Sequence, residues 1–126
     1  MKVYPTPENE IERLRVLNEY AILDTISEKE YESITQLASY ICNVPIALVS
    51  LIDQNRQWFK ASVGLDASET SRKDSFCQYT IMNNHIFEVE NATEHELFHD
   101  NPLVLGNPNI RFYAGAPLLN KNGFVM

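Results

Sequence analysis

The chain has 126 residues, a formal charge of -7 and 44% hydrophobic residues, the length of one domain and the composition of a folded one. At this size about two-thirds of the unfolded surface is buried on folding, so a core forms without disulfide or metal staples. An acidic balance with no basic cluster argues against a phosphate-backbone reader, and no nucleic-acid partner is expected.

The two cysteines, Cys42 and Cys77, cannot build a disulfide scaffold, and both read as thiols in a reducing compartment. The N-terminus lacks the apolar run of a signal peptide, and the longest apolar run, 46–49, is far too short to cross a bilayer. A cytoplasmic location without direct membrane insertion is the expectation.

Pro5 and Pro7 make an irregular start. Residues 8–20 then read as a helix with Ile11, Leu14, Leu17 and Ala21 as its apolar stripe. Glu8 and Glu10 suit its start, and Arg13 and Arg15 follow as the dipole prefers. Asp24-Thr25-Ile26 connects it to a second helix over 28–42, opened by a capping box at Ser27 and Glu30. Tyr31, Ile34, Leu37, Ala38 and Ile41 are its predicted buried stripe, and Asn43 is its stop.

Residues 46–52 are almost wholly apolar, which predicts a strand covered on both faces or central in its sheet. A turn at 53–56 returns the chain through a strand over 57–63, on which Trp58 and Phe59 face opposite ways. The polar stretch 64–74 reads as an unusually long connection, a functional flap or a surface loop. Ser75 is placed to cap a short helix over 76–82, and 86–89 is a short strand. Thr93 and Glu96 have capping-box spacing, so a brief helix starts near residue 94 and ends at Asn101-Pro102. A turn at 107–109 leads to a strand over 110–119 and a hairpin turn at 120–123. The chain stops three residues into the return arm, as expected of a truncated domain or of a sheet completed by a partner.

His95-Glu96-Leu97-Phe98-His99 satisfies the H-E-x-x-H pattern, in which two imidazoles one helical turn apart grip zinc and the glutamate acts as base. The predicted helix starts only one residue earlier, and a third protein ligand is missing, His85 being the only other histidine. No metal is therefore expected. The histidines read instead as solvent-facing or capping groups, with Leu97 and Phe98 packed inward. Cys77 sits near a predicted helix start, a setting that suits a nucleophilic or redox thiol. The competing reading is a small buried residue, and no triad surrounds it. The four glycines are isolated, so no phosphate-cradling loop exists. The acids of 88–100 read as a solvated face. Arg56, Trp58, Phe59, Arg111 and Tyr113 form the more suggestive set, since arginines and aromatics near strand ends can line a small-ligand cavity. Ion pairing competes with that reading, Arg56 with Asp53 and Arg111 with Asp100 or Glu96.

Several blocks stand in a telling order. They are Arg15-Val16-Leu17 with Ile22-Leu23-Asp24-Thr25, then Val44 through Asp53, then Arg56-Gln57-Trp58-Phe59-Lys60 and Gly64-Leu65. Phe76-Cys77 with Thr80-Ile81 follows, then Asn101-Pro102-Leu103-Val104 and Ile110 through Leu118. In this order the chain resembles the GAF family of sensory domains, in particular the subgroup near the N-terminus of bacterial histidine kinases and diguanylate cyclases. The resemblance covers residues 10 to 119. It implies an α+β, two-layer, profilin-like fold, a central antiparallel sheet with helices packed mainly on one face, as a single domain over 1–126 lacking its C-terminal strand and helix.

It also implies a non-catalytic, small-molecule-sensing module of a multidomain signalling protein, with Phe76 and Cys77 added to Arg56, Trp58, Phe59, Arg111 and Tyr113 as candidate ligand-binding residues. The ligand is unnamed and no cofactor is required. A homodimer and a covalently linked output domain are the expected partners. Two other readings stand beside it: a structural dimerisation module without ligand, and an enzyme using zinc at His95 and His99 or thiol chemistry at Cys77.

Overall fold

The computed structural model describes residues 5–126. Its architecture is mixed α+β. The chain forms two compact units, one of residues 11–72 and one of 73–126 with the described residues up to Glu10.

In the 11–72 unit, helix α1 (Glu10–Glu19) leads to helix α2 (Lys29–Cys42) and to strands β1 (Ala47–Ile52), β2 (Arg56–Val63) and β3 (Glu69–Ser71). The strands form an antiparallel sheet in the order β1-β2-β3. Ala47 pairs with Val63 and Ile52 with Gln57, with a bulge between Val49 and Ser50. The hairpin turn is closed by Asp53 N–H donating to Arg56 O at 2.9 Å. Trp58 and Phe59 are consecutive, so they leave opposite faces, and both are buried. Gly64 ends β2 at φ +79°, where a Cβ would also run into the Pro45 carbonyl.

Three sequence expectations change here. β1 is an edge strand among the described residues, with only Leu51 and Ile52 buried. An apolar run reports a tendency to burial and does not count neighbours. The polar stretch 64–74 contains β3, which pairs with β2 from Arg56 opposite Ser71 to Trp58 opposite Glu69. In α1 the buried residues are Arg13, Val16 and Leu17, while Ile11 is exposed and Ala21 lies past the helix at φ 52°.

The largest correction is α2. It packs on β1 and β2, yet its one buried residue is Thr35, and Ile34, Leu37, Ala38 and Ile41 are exposed. A polar face can be turned inward because its hydroxyls are satisfied by the main chain. Thr35 Oγ1 donates to Glu32 O at 2.8 Å and Ser39 Oγ to Val44 O at 2.7 Å. The Ser27–Glu30 capping box is not formed; Glu28 is the N-cap, without a side-chain bond. Asn43 does end the helix, in the left-handed region that asparagine tolerates.

The 73–126 unit holds helix α3 (Cys77–Thr80), strand β4 (Phe87–Val89), helix α4 (Pro102–Leu105) and strand β5 (Tyr113–Gly115). β4 and β5 pair antiparallel, Phe87 opposite Gly115 and Val89 opposite Tyr113. The helix expected from residue 94 is a single 3-10 turn, Ala92–Glu94, capped by Asn91 rather than Thr93. Asn101-Pro102 starts a helix instead of ending one: Asn101 Oδ1 accepts from Leu103 N–H at 2.8 Å and Pro102 takes the first helical position. The strand expected over 110–119 is regular only at 113–115, followed by an isolated bridge between Leu119 and Val125.

Candidate ligand site

Short as it is, α3 points its side chains two ways. Cys77 and Thr80 lie nearly one turn apart, and both meet Tyr113. Tyr113 Oη donates to Cys77 Sγ at 3.1 Å and lies 2.7 Å from Thr80 Oγ1. A phenol has one proton, so Thr80 is the donor in the second bond. Gly115 shares a strand face with Tyr113 and leaves it room, since a Cβ there would strike Tyr113 Oη and Thr80 Oγ1. Burial, and after it the adjacent Cys77 sulfur, keep the Tyr113 hydroxyl protonated well beyond the ordinary phenol range.

The Tyr113 ring belongs to an aromatic cluster. Phe76 stacks on Phe98 with centroids 4.0 Å apart and planes 6° from parallel. Tyr79 meets Phe98 edge-on at 5.2 Å, and Tyr113 meets Phe76 at 5.2 Å. Val89, Ala92 and Val104 complete this core. Each ring contributes area, and the edge-on contact adds a favourable quadrupole term.

Gln78 and Tyr79, the other two residues of α3, line a cavity of about 240 Å³ together with Lys73, Asp74, Leu97, Asp100, Asn101 and Pro102. Asn101 secures this wall by donating from Nδ2 to Asp74 O at 3.1 Å. None of the seven residues named from the sequence lines the cavity.

Those seven are placed as follows. Phe76, Cys77 and Tyr113 come together in the cluster just described. Arg56 sits among carboxylates: Nη1 and Nη2 each reach Asp24 at 2.8 Å, Nε reaches Asp53 at 2.9 Å and Nη1 reaches Glu69 at 3.2 Å. Asp24, and then Asp53, hold its guanidinium more firmly charged than usual, and Arg56 in turn keeps the Asp24 carboxyl below its ordinary range. Pairing of Arg56 with Asp53 was the competing reading, and it is the arrangement observed. Trp58 and Phe59 are buried on β2. Arg111 is exposed and donates from Nη1 to Val104 O and Ile110 O, both at 3.0 Å, rather than to Asp100 or Glu96.

The H-E-x-x-H stretch is not helical in the required sense. His95 has extended backbone, and its Nδ1 accepts from Leu97 N–H at 3.1 Å while its ring lies 5.0 Å from Phe98. His99 is exposed. Among the described residues no group of three or more His, Cys, Asp or Glu is placed to hold a metal ion.

Sequence reasoning passed over Lys60, which is 3% exposed. Its Nζ donates to Thr25 Oγ1 at 2.8 Å and Ile26 O at 2.6 Å, pairs with Glu28 at 2.6 Å and lies 5.4 Å from the Tyr31 ring centroid. A single lysine inside the apolar run Trp58-Phe59-Lys60-Ala61 was the available signal. Among the described residues no helix is long and apolar enough to cross a membrane.

The elements make a mixed α+β fold of antiparallel strands and helices. The sequence profile of the GAF domain matches residues 28–126, and the chain belongs to that family. It is a signalling module of the kind found in larger regulatory proteins. The chain is 45% identical over 123 residues to the cyclic di-GMP phosphodiesterase PA2567 of Pseudomonas aeruginosa, covering 98% of this chain and 21% of that protein. It thus spans about a fifth of the length of this curated relative. The crystal structure of the GAF domain from Acinetobacter phosphoenolpyruvate-protein phosphotransferase superposes with a TM-score of 0.58 at 19% identity, over 96% of this chain and 74% of that one. That likeness is one of fold.

Proposed function

We propose that the chain is the small-molecule-sensing module of a cytoplasmic signalling protein whose output domain turns over cyclic di-GMP. The observation that carries this reading is the 45% identity to a cyclic di-GMP phosphodiesterase across nearly the whole chain. In this reading the module has no catalytic role. Occupancy of its site shifts a conformational population that the output domain feels. Phe76, Cys77 and Tyr113 are assigned to the packing that transmits occupancy. Arg56, with Asp24 and Asp53 around it, is assigned to the scaffold.

A chimera tests this. The matching segment of the phosphodiesterase is replaced by this chain, and cyclic di-GMP hydrolysis is measured beside a chimera carrying an unrelated soluble domain of equal length. Regulated activity in the first chimera only is the expected result. Equal activity in both would overturn the assignment.

A second reading, a dimerisation module, is favoured by one observation. Ile34, Leu37 and Ile41 are 55%, 59% and 69% exposed on one face of α2, and exposed apolar faces of this kind commonly mark interfaces. Sedimentation should then show a dimer that Leu37→Glu dissociates. A monomer at all concentrations removes this reading.

A further inference from the structure

Helix α2 turns a polar side toward its sheet, so the side left to solvent is apolar. Ile34, Leu37, Ala38 and Ile41 are all exposed, and they stand at i, i+3, i+4 and i+7. Four residues so spaced form one diamond-shaped patch, the contact unit of two crossing helices. The patch reads nearly the same from either end, with an isoleucine at each tip and a leucine beside an alanine at the middle. A half-turn about an axis through its centre sets Ile34 against Ile41 of a second copy, and Leu37 against that copy's Ala38.

Shape and charge both favour that pairing. A large side chain meets a small one at the centre, so the helices approach closely without overpacking. Residues 33–43 carry no charged side chain. Glu30 is the nearest charge in line with the patch, one turn before Ile34. In the antiparallel pairing it falls opposite Pro45, past the last helical residue of the second copy. A parallel pairing would set Glu30 against Glu30, like charge against like. The area is adequate as well. With Tyr40, 85% exposed at the rim, the patch leaves on the order of 550 Å² open on each copy. Two copies together offer about 1,100 Å², just past the roughly 1,000 Å² that a specific interface needs, which is the size of a weak, reversible dimer.

We propose that the exposed face of α2 docks a second copy of this chain, the two helices crossing antiparallel about a two-fold axis that passes between Leu37 and Ala38. The contact is isologous, so it closes at two copies and leaves no matching surface for further growth. The proposal rests on the dimerisation reading and deepens it with an orientation and a register. It holds whether or not the module also senses a ligand.

The test has two stages on the 126-residue chain. Sedimentation from micromolar to millimolar concentration should show a reversible monomer–dimer equilibrium. Ala38→Tyr should weaken it by about tenfold, because Leu37 of the second copy needs that room. On a face used in any other way, the added ring would only enlarge the apolar area and leave association unchanged or stronger. Disulfide trapping then reads the register. Ile34→Cys and Ile41→Cys, each combined with Cys42→Ser, are mixed with one of the two isotopically labelled, mildly oxidised and mapped by mass spectrometry. The expected product is a dominant bridge between 34 and 41, since only facing positions come within disulfide reach. Should Ala38→Tyr lose its folded spectrum, the trapping still decides the matter. A monomer throughout overturns the dimerisation reading and this proposal with it. A dimer that is trapped mainly through 34 to 34 and 41 to 41, that forms no bridge at either position, or that is indifferent to Ala38→Tyr keeps the dimerisation reading and overturns the antiparallel register.

Discussion

The 11–72 unit and the 73–126 unit are each held internally by different chemistry. In the first, the connector between α1 and α2 is held to β2 by cations: Arg56 reaches back to Asp24, and Lys60 reaches Thr25, Ile26 and Glu28. In the second, segments far apart in sequence meet through rings, with Phe98 touching Phe76, Tyr79, Phe87 and His95. Charges fix a connector by direction and need their partners charged. Rings fix a core by area and shape, and salt and acid act on them only weakly. The cavity lies in the ring-built unit.

Phe98→Ala tests that contrast most severely. Phe98 is fully buried, so truncation removes the centre of the cluster and should cost about 4 kcal/mol in urea denaturation. The loss should be nearly the same at low and high salt. A cost under about 1 kcal/mol would mean that the rings merely fill space.

Lys60→Ala comes next, at about 3 kcal/mol, because the Ile26 carbonyl and Glu28 lose their shared partner. The value sits at the low end for buried pairs since Glu28 is half exposed and recovers some hydration. Lys60→Met keeps the packed stem and should recover part of the loss. If alanine and methionine behave alike, the charge rather than the stem dominates.

Much of this organisation was legible beforehand, and the failures share a cause. The hairpin of 46–52 and 57–63 and the stop at Asn43 come from local chemistry: an apolar run, a polar turn, and a residue that tolerates the left-handed region. The inward face of α2 was misread because periodicity locates an apolar stripe without saying what meets it. Thr35 and Ser39 bond their own backbone, so the polar face could be turned in. Asn101-Pro102 was read as a stop although an N-cap asparagine followed by proline equally signals a start. The aromatic cluster has no period, since Phe76, Phe87, Phe98 and Tyr113 come from short elements and turns. Gln78 could not be singled out at all. Its burial is set by the carbonyls of Lys73 and Ser75, which accept from its amide and are invisible to periodicity.

Tyr113→Phe is a gentler probe of the ring-built unit. It removes the bridge to Cys77 and Thr80 and should cost about 1 kcal/mol. The hydroxyl also sets an alkaline limit. Its folded value lies far above the ordinary 10.0, so stability is fully present below pH 10 and falls as pH rises beyond it, where only the unfolded chain releases the proton. Absorbance at phenolate wavelengths should show one tyrosine that ionises only with unfolding. In Tyr113→Phe that late step should vanish. Its persistence would assign the behaviour to another tyrosine.

The smallest effect belongs to the charge-built unit and has the opposite pH sign. Asp24 is a solvated carboxylate that Arg56 holds below its ordinary value of 3.8. Its contribution is fully present above that value and is lost as pH falls below it through the lowered folded value, because the unfolded chain takes up the proton first. Asp24→Asn should therefore reduce stability slightly at pH 7 and flatten the acid limb of the stability curve below about pH 4, the two proteins converging as pH falls through the lowered folded value. Added salt should shrink the difference between the two proteins at pH 7, since an exposed pair is screened. The same salt should leave the Phe98→Ala deficit where it was. If salt acts equally on both variants, the distinction between a charge-held connector and a ring-held core fails, and the two units are stabilised by the same means.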